Sequence, residues 1–213
     1  MKAKLLNDLS KVKNIIYTAC RTCYSAKSPI ELIEQEPNTD LILKIARSGH
    51  LSTFEHVVCT FAIEGVSRSL LAQLTRHRLC SFSVQSQRYC KMDKSFVIPE
   101  TLNENKEIIG KTLNQIIDCY NELIENGVKK EDARAILPNA TCTNLVMTCN
   151  LRELIHICNL RLCKRAQAEI RELTGLMRKE VIKELPFMKE FLVPNCKHCT
   201  EAKGCKNDNT RNI

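Results

Sequence analysis

Arg76-His77-Arg78-Leu79-Cys80-Ser81-Phe82-Ser83-Val84-Gln85-Ser86-Gln87-Arg88-Tyr89 gathers three arginines, one histidine, two glutamines and three serines into a single short window. Guanidinium forks match phosphate and carboxylate geometry, and serine and glutamine add neutral donors that orient an anion without adding charge. Taken alone, an Arg-His-Arg triplet is also what a solvated basic face or a nucleic-acid patch would show. The second half sets this window apart: Ser86, Arg88 and Tyr89 follow the triplet after an apolar and hydroxyl-rich interval.

Immediately upstream, Val66 to Thr75 carries Leu70, Leu71 and Leu74 at helical spacing behind Ser67 in the N-cap position. This predicts a helix that delivers the triplet at its C-terminal end, where cations also interact favourably with the helix dipole. Gln73, one turn before Arg76, is placed to face the same pocket. Val57 to Ile63 is a β-branched run that predicts a strand, and the loop His50-Leu-Ser-Thr-Phe-Glu-His56 is mounted just before it. A short amphipathic helix over Asp40 to Arg47 precedes that loop and is closed by Gly49. Ile15 to Ser25 has apolar residues at helical spacing. Its Cys20/Cys23 pair has redox or metal spacing but neither a second pair nor a βαβ pattern around it.

Downstream, Ser95 to Ile98 predicts a strand ending at Pro99. Ile108 to Asn126 predicts a helix with Ile109, Leu113, Ile116, Ile117, Tyr120, Leu123 and Ile124 on one face, stopped by Gly127. Lys130 to Leu137 starts another helix and sets Arg134 among apolar neighbours before Pro138, where a buried guanidinium needs an anionic partner. Thr141 to Thr148 predicts a strand. Asn150 caps a helix over Leu151 to Asn159, whose continuation carries Arg161, Lys164 and Arg165; Arg152 and His156 lie one turn apart on one face. Gln167 to Leu185 is amphipathic, with Ile170, Leu173, Met177 and Val181 on its apolar side.

The 213 residues, 44% hydrophobic with few glycines and prolines, suffice for one sizeable core, and a change in character after Pro194 divides residues 1–193 from a Cys-rich tail, 194–213. The net charge of +8 suits a protein that handles nucleotides, phosphorylated cofactors or nucleic acid. No run is long and apolar enough to span a membrane and the N-terminus lacks an apolar signal core, so the expected location is cytoplasmic. Thirteen cysteines are scattered through periodic segments, as reduced core residues are. In the tail, Cys196, His198, Cys199 and Cys205 have metal-like spacing, yet lack the second pair of a zinc site; a redox-sensitive tail is the competing reading.

The opening window resembles the signature of the flavin-dependent thymidylate synthases, in which Arg-His-Arg is followed by seven residues and then a serine. Here the seven are Leu79 to Gln85 and the serine is Ser86. Ala19-Cys-Arg-Thr-Cys-Tyr24, Gly49-His-Leu-Ser-Thr-Phe-Glu-His56, Ala133-Arg-Ala-Ile-Leu-Pro138, Asn150-Leu-Arg-Glu-Leu154 and Asn159-Leu-Arg161 are similar to further blocks of that family, so the likeness covers about residues 15–190. It implies an α+β protomer, a twisted β-sheet flanked by helices, assembling as a homotetramer with active sites between subunits.

The activity implied is reductive methylation of dUMP to dTMP, with 5,10-methylenetetrahydrofolate as carbon donor and FAD, reduced by NADPH, as hydride donor. Carried over residue by residue, Arg161 is the catalytic group. Gln73, Arg76, Gln85, Ser86, Gln87, Arg88 and Arg134 join it on dUMP, and His50, Ser52, Glu55, Arg76, His77, Arg78, Asn150, Arg152 and His156 hold FAD. The chain departs from the family at Val84, where members carry Glu or Gln, and Arg165 adds a charge one turn after Arg161. Ser86 is expected to bind and not to attack, since its neighbours Gln85 and Gln87 are not bases. A basic RNA-binding module would explain the charge but not the 5% aromatic content. A small metal-binding regulator would explain only the tail. The partners expected are dUMP, folate, NADPH and further copies of the chain, with no membrane or nucleic acid.

Overall fold

Alternation at period two builds the sheet that carries everything else. The computed structural model describes residues 1–196, 199 and 205. In chain order it places β1 (Lys2–Leu5), α1 (Val12–Thr22), α2 (Pro29–Ile33), α3 (Thr39–Arg47), a 3-10 turn (Leu51–His56), β2 (Val58–Ser67), α4 (Arg68–Leu74) and β3 (Cys80–Val84). A second 3-10 turn (Glu100–Asn105), α5 (Lys106–Glu125), α6 (Lys130–Ala133), a third 3-10 turn (Arg134–Ile136), β4 (Cys142–Asn150), α7 (Leu151–Arg161), α8 (Ala168–Glu184) and a last 3-10 turn (Pro186–Glu190) follow.

The strands form one antiparallel sheet in the order β1-β2-β4-β3. Along β2, Cys59, Phe61 and Ile63 are buried; along β4, Thr143, Leu145, Met147 and Cys149 are. Their in-between neighbours point to the opposite face, where Val58 and Val146 remain 46% and 38% exposed. Among the described residues the helices cover only the first face, so the expected sheet flanked by helices is flanked on one side. Phe61, Met147, Leu154, Ile157, Leu173 and Met177 meet there in the main core. Met92, Ile117, Tyr120 and Ala133 form a smaller cluster that seats α5 and α6. Cys59, Cys149 and Cys80 stand abreast across β2, β4 and β3 by register, all as free thiols.

Between Ile63 and Val66 the β2–β4 register shifts. Gly65 adopts φ +69 at this bulge, a left-handed backbone in which an added side chain would be strained, and its N–H donates to Asn144 Oδ1 at 3.0 Å. The bulge realigns the end of β2 so that Ser67 is both the last strand residue and the N-cap of α4.

Three expectations need correction. Ser95 to Ile98 makes only one bridge, Phe96 to Thr141, because an Asp93–Ser95 turn precedes it and Pro99 cannot donate. The helix expected over Lys130 to Leu137 stops at Ala133 and tightens to a 3-10 turn, since Pro138 forces Leu137 to extended backbone, ψ 134. The basic window contains an edge strand, β3, running back along β4.

Candidate active site

The site begins with how α4 is anchored. Ser67 Oγ accepts from Leu70 N at 2.9 Å, while Ser67 donates through N and Oγ to the Glu169 carboxylate of α8 at 2.7 and 2.6 Å. At the other end of α4, Gln73 Nε2 donates to Gln167 Oε1 at 2.6 Å. The chain then turns, with Arg76 N donating to Gln73 O and His77 N to Leu74 O. This turn splits the Arg-His-Arg triplet: Arg76 and Arg78 are exposed, whereas His77 is 4% exposed.

His77 points toward α7. The Asn150 side chain caps that helix by accepting from Glu153 N at 2.8 Å, and Leu151, Leu154, Ile155, Ile157 and Cys158 bury its neighbouring faces. Glu153 is carried into the interior with them, 7% exposed, and its Oε1 lies 3.4 Å from His77 Nδ1. From the last residue of α7, Arg161 Nε donates to His77 Nε2 at 3.0 Å, and Nη2 donates to Gln73 O at 3.3 Å. A guanidinium cannot accept, so the His77 lone pair is on Nε2 and its proton on Nδ1. Burial, then the charges of Arg161 and His156, push the His77 pKa down to about 4. Burial pushes that of Glu153 up, opposed by His156. The exposed His156 ring meets His77 edge-on at 6.0 Å.

His77, Glu153 and His156 have the donor types of a metal site, with ligand atoms all within 4.8 Å of one another. Arg161 argues against an ion there: it already uses the Nε2 lone pair and sets a positive charge against the group. In the tail, Cys196, Cys199 and Cys205 do not join any three-donor group among the described residues, and His198 lies outside them.

A second basic group forms around α6. Arg88 donates from Nε to Glu131 Oε2 at 2.8 Å, with Nη2 2.7 Å from the same oxygen, and its guanidinium stands 5.7 Å from the Tyr89 ring centre. Arg134 Nε donates to Glu131 O at 3.0 Å. Burial and the charge of Arg134 lower the pKa of half-buried Arg68. Of these three guanidiniums, only Arg88 is paired with the Glu131 carboxylate among the described residues; Arg134 is held by the Glu131 backbone carbonyl. Ser86 Oγ accepts from Arg88 N at 3.2 Å, and Gln87 is buried. Gln85 is turned to Asn144, whose Nδ2 donates to its Oε1 at 3.2 Å. Val84 pairs with Leu145 and packs on the core, so its side chain is structural.

The third group joins the 3-10 turn to α7 through an ion pair between Glu55 and Arg152. His50 and Ser52 are exposed nearby in sequence, His50 just beyond Gly49 at φ +86. The predicted guanidiniums are thus held by three sets of partners. Arg161 with Gln73 and Arg68 with Arg134 occupy opposite ends of α4, about 8 Å apart along a helix axis; Arg152 is elsewhere. Glu153, Glu131, Arg68 and Gln167 escape the sequence reading. Only Glu153 carries a usable signal, a carboxylate in a helix turn apolar on nearly every side.

A sequence model of the family described as thymidylate synthase complementing protein matches residues 4–187. A flavin-dependent thymidylate synthase of Thermococcus onnurineus is 40% identical over 194 residues, spanning 86% of this chain and 79% of its own length. Another, of Geobacter sulfurreducens, is 38% identical over 205 residues, spanning 92% and 88%. Among solved structures, a UMP/dUMP methylase, PolB, from Streptomyces cacaoi bound with 5-Br dUMP shares the fold, with TM-score 0.77 and 21% identity over 90% of this chain and 96% of its own.

Proposed function

This chain belongs to the thymidylate synthase complementing protein family, that of the flavin-dependent thymidylate synthases, and from that membership we propose that it methylates dUMP reductively to dTMP. The carbon comes from 5,10-methylenetetrahydrofolate and the hydride from FAD that NADPH has reduced. One observation carries the assignment of roles: the Arg161 guanidinium, held between His77 and the Gln73 carbonyl.

Uracil C5 is a poor nucleophile while its ring is neutral. A fixed guanidinium beside the pyrimidine O2 and N3 edge stabilises the anionic ring and so gathers electron density at C5. Arg161 suits this role because, among the described residues, two of its donors engage the protein and the others are left to face a ligand. At the phosphate end, Arg88 and Arg134, with Arg68 beside them, carry more positive charge than Glu131 neutralises. Ser86, Gln85, Gln87, Arg76 and Gln73 complete the nucleotide set, whose binding energy positions the base.

For FAD, the exposed Arg76 and Arg78 suit a diphosphate. His50, Ser52 and Glu55 on one side and Asn150, Arg152 and His156 on α7 add neutral and charged partners. His77, in the same turn, acts from the interior. When bound, the flavin supplies the hydride chemistry.

Three separated cationic groups in one protomer favour a homotetramer in which neighbouring copies complete each site. The uncovered sheet face around Val58, Ala62 and Val146 is where a second copy docks. We assign catalysis to residues 1–193, within which the family match falls. No described helix is long and apolar enough to cross a membrane.

Anaerobic incubation with dUMP, methylenetetrahydrofolate and NADPH is expected to give dTMP from a protein with flavin absorbance. Arg161→Ala is expected to abolish dTMP formation with flavin retained. A colourless wild type without product, or wild-type turnover in the variant, overturns the reading.

A further inference from the structure

We propose that Glu153 is a positioning residue for this reaction: its buried carboxylate selects the tautomer of His77, and that imidazole holds the Arg161 guanidinium in register with the pyrimidine. The proposal rests on the thymidylate reading and adds a part to it. The geometry is a relay of three side chains, Glu153 Oε1 to His77 Nδ1 at 3.4 Å and His77 Nε2 to Arg161 Nε at 3.0 Å, ending on the helix terminus that bears the guanidinium.

Each link constrains the next. Arginine can only donate, so the imidazole must offer a lone pair at Nε2. The other tautomer would oppose two N–H groups in a buried place and release the guanidinium. A neutral imidazole in water has no strong preference between its two forms, so its surroundings decide. Here the carboxylate does so by facing Nδ1, the one position where the proton is compatible with Arg161. The burial of Glu153 fits this purpose. A carboxylate only 7% exposed is costly unless something answers its charge, and across the imidazole stands the Arg161 cation. His156 faces the group from the exposed side and limits that cost.

A metal would use the same three donors, His77, Glu153 and His156, but would need the Nε2 or Nδ1 position that the relay occupies. Ion binding and the relay are therefore mutually exclusive.

The test uses the full chain loaded with FAD. Glu153→Ala is expected to keep its flavin content and its KM for dUMP within about threefold while kcat falls roughly 10- to 100-fold, the range for losing a partner that orients a functional side chain. Glu153→Gln, whose amide oxygen can still face Nδ1–H as an acceptor, is expected to recover kcat to within about threefold of wild type. Nitrogen-15 NMR of labelled histidine, with His77 assigned by the His77→Gln difference, is expected to show the Nδ1-protonated neutral form at pH 7 in the wild type.

A wild-type kcat in Glu153→Ala, a loss confined to KM or flavin content, or a Gln variant as impaired as the Ala variant overturns the relay. So does an Nε2-protonated or doubly protonated His77, a readout that stands even where Glu153→Ala does not fold. Failure of the wild type to make dTMP sinks the thymidylate reading instead, and the NMR result then still decides whether His77 holds the tautomer that the relay requires.

Discussion

At His77 the native state holds an imidazole that resists protonation, because burial and then the neighbouring Arg161 cation oppose a further charge. The unfolded chain takes up that proton near the ordinary histidine value of 6.5, and the folded chain only near pH 4. Between these values the unfolded state binds more protons, so the His77 contribution to stability is intact above pH 6.5 and is lost as pH falls toward 4. The raised pKa of Glu153 acts in the opposite sense, so the comparison must isolate the imidazole. His77→Gln keeps an acceptor for Arg161 and removes the titration. Urea midpoints at pH 7 and pH 5 are expected to fall more steeply in wild type than in this variant. The same residue shows where sequence reading stops. Arg-His-Arg presents three cationic candidates of equal standing, and only the turn after α4 separates an interior histidine from two exposed arginines.

Among elements, α4 is short and depends on its ends. Ser67 ends β2, caps α4 and satisfies the Glu169 carboxylate at once. Ser67→Ala is expected to cost about 2 kcal/mol, a lost cap plus a part-buried carboxylate left with one donor fewer, read by urea denaturation of the flavin-loaded protein. Both N-caps that position the site, Ser67 and Asn150, were legible, since small polar residues before apolar periodicity mark helix starts whatever the tertiary context. β2, β4, α5, α7 and α8 were legible for the same local reason. β1 and β3 were not. Lys2–Leu5 is four residues long, and Cys80–Val84 sits inside a polar window whose pairing with β4 is decided by distant register. α2 follows a capping box of Ser28 and Glu31 with Pro29 at its first position, a signal that hydrophobic periodicity alone does not use. The pairing of Glu153 with His77, and of Arg68 with Arg134, depends on elements far apart in sequence and has no local signature.

For the molecule as a whole, the uncovered sheet face is the feature that makes assembly testable. Val58, Ala62 and Val146 lie on it with Thr60, Thr148, Ser81 and Ser83, a surface of small, mostly uncharged side chains between cross-strand partners. Val146→Asp is expected to shift the proposed tetramer toward smaller species in light scattering after size exclusion, and to lower dTMP formation in parallel. A tetramer undisturbed by this charge would place the subunit contact on another surface. The order of the strands also bears on how the polypeptide matures. Thr60 and Thr148 meet across 88 residues, and the amide of Leu5 donates to Glu180 across 175. A nascent chain leaving the ribosome can pair β1 with β2 early, but β2 has its second neighbour, β4, and the sheet its covering helix α8 only later in synthesis, and such non-local pairing closes slowly. Recovery of soluble protein is accordingly expected to respond to translation speed and chaperone supply as well as to the stability of the finished fold.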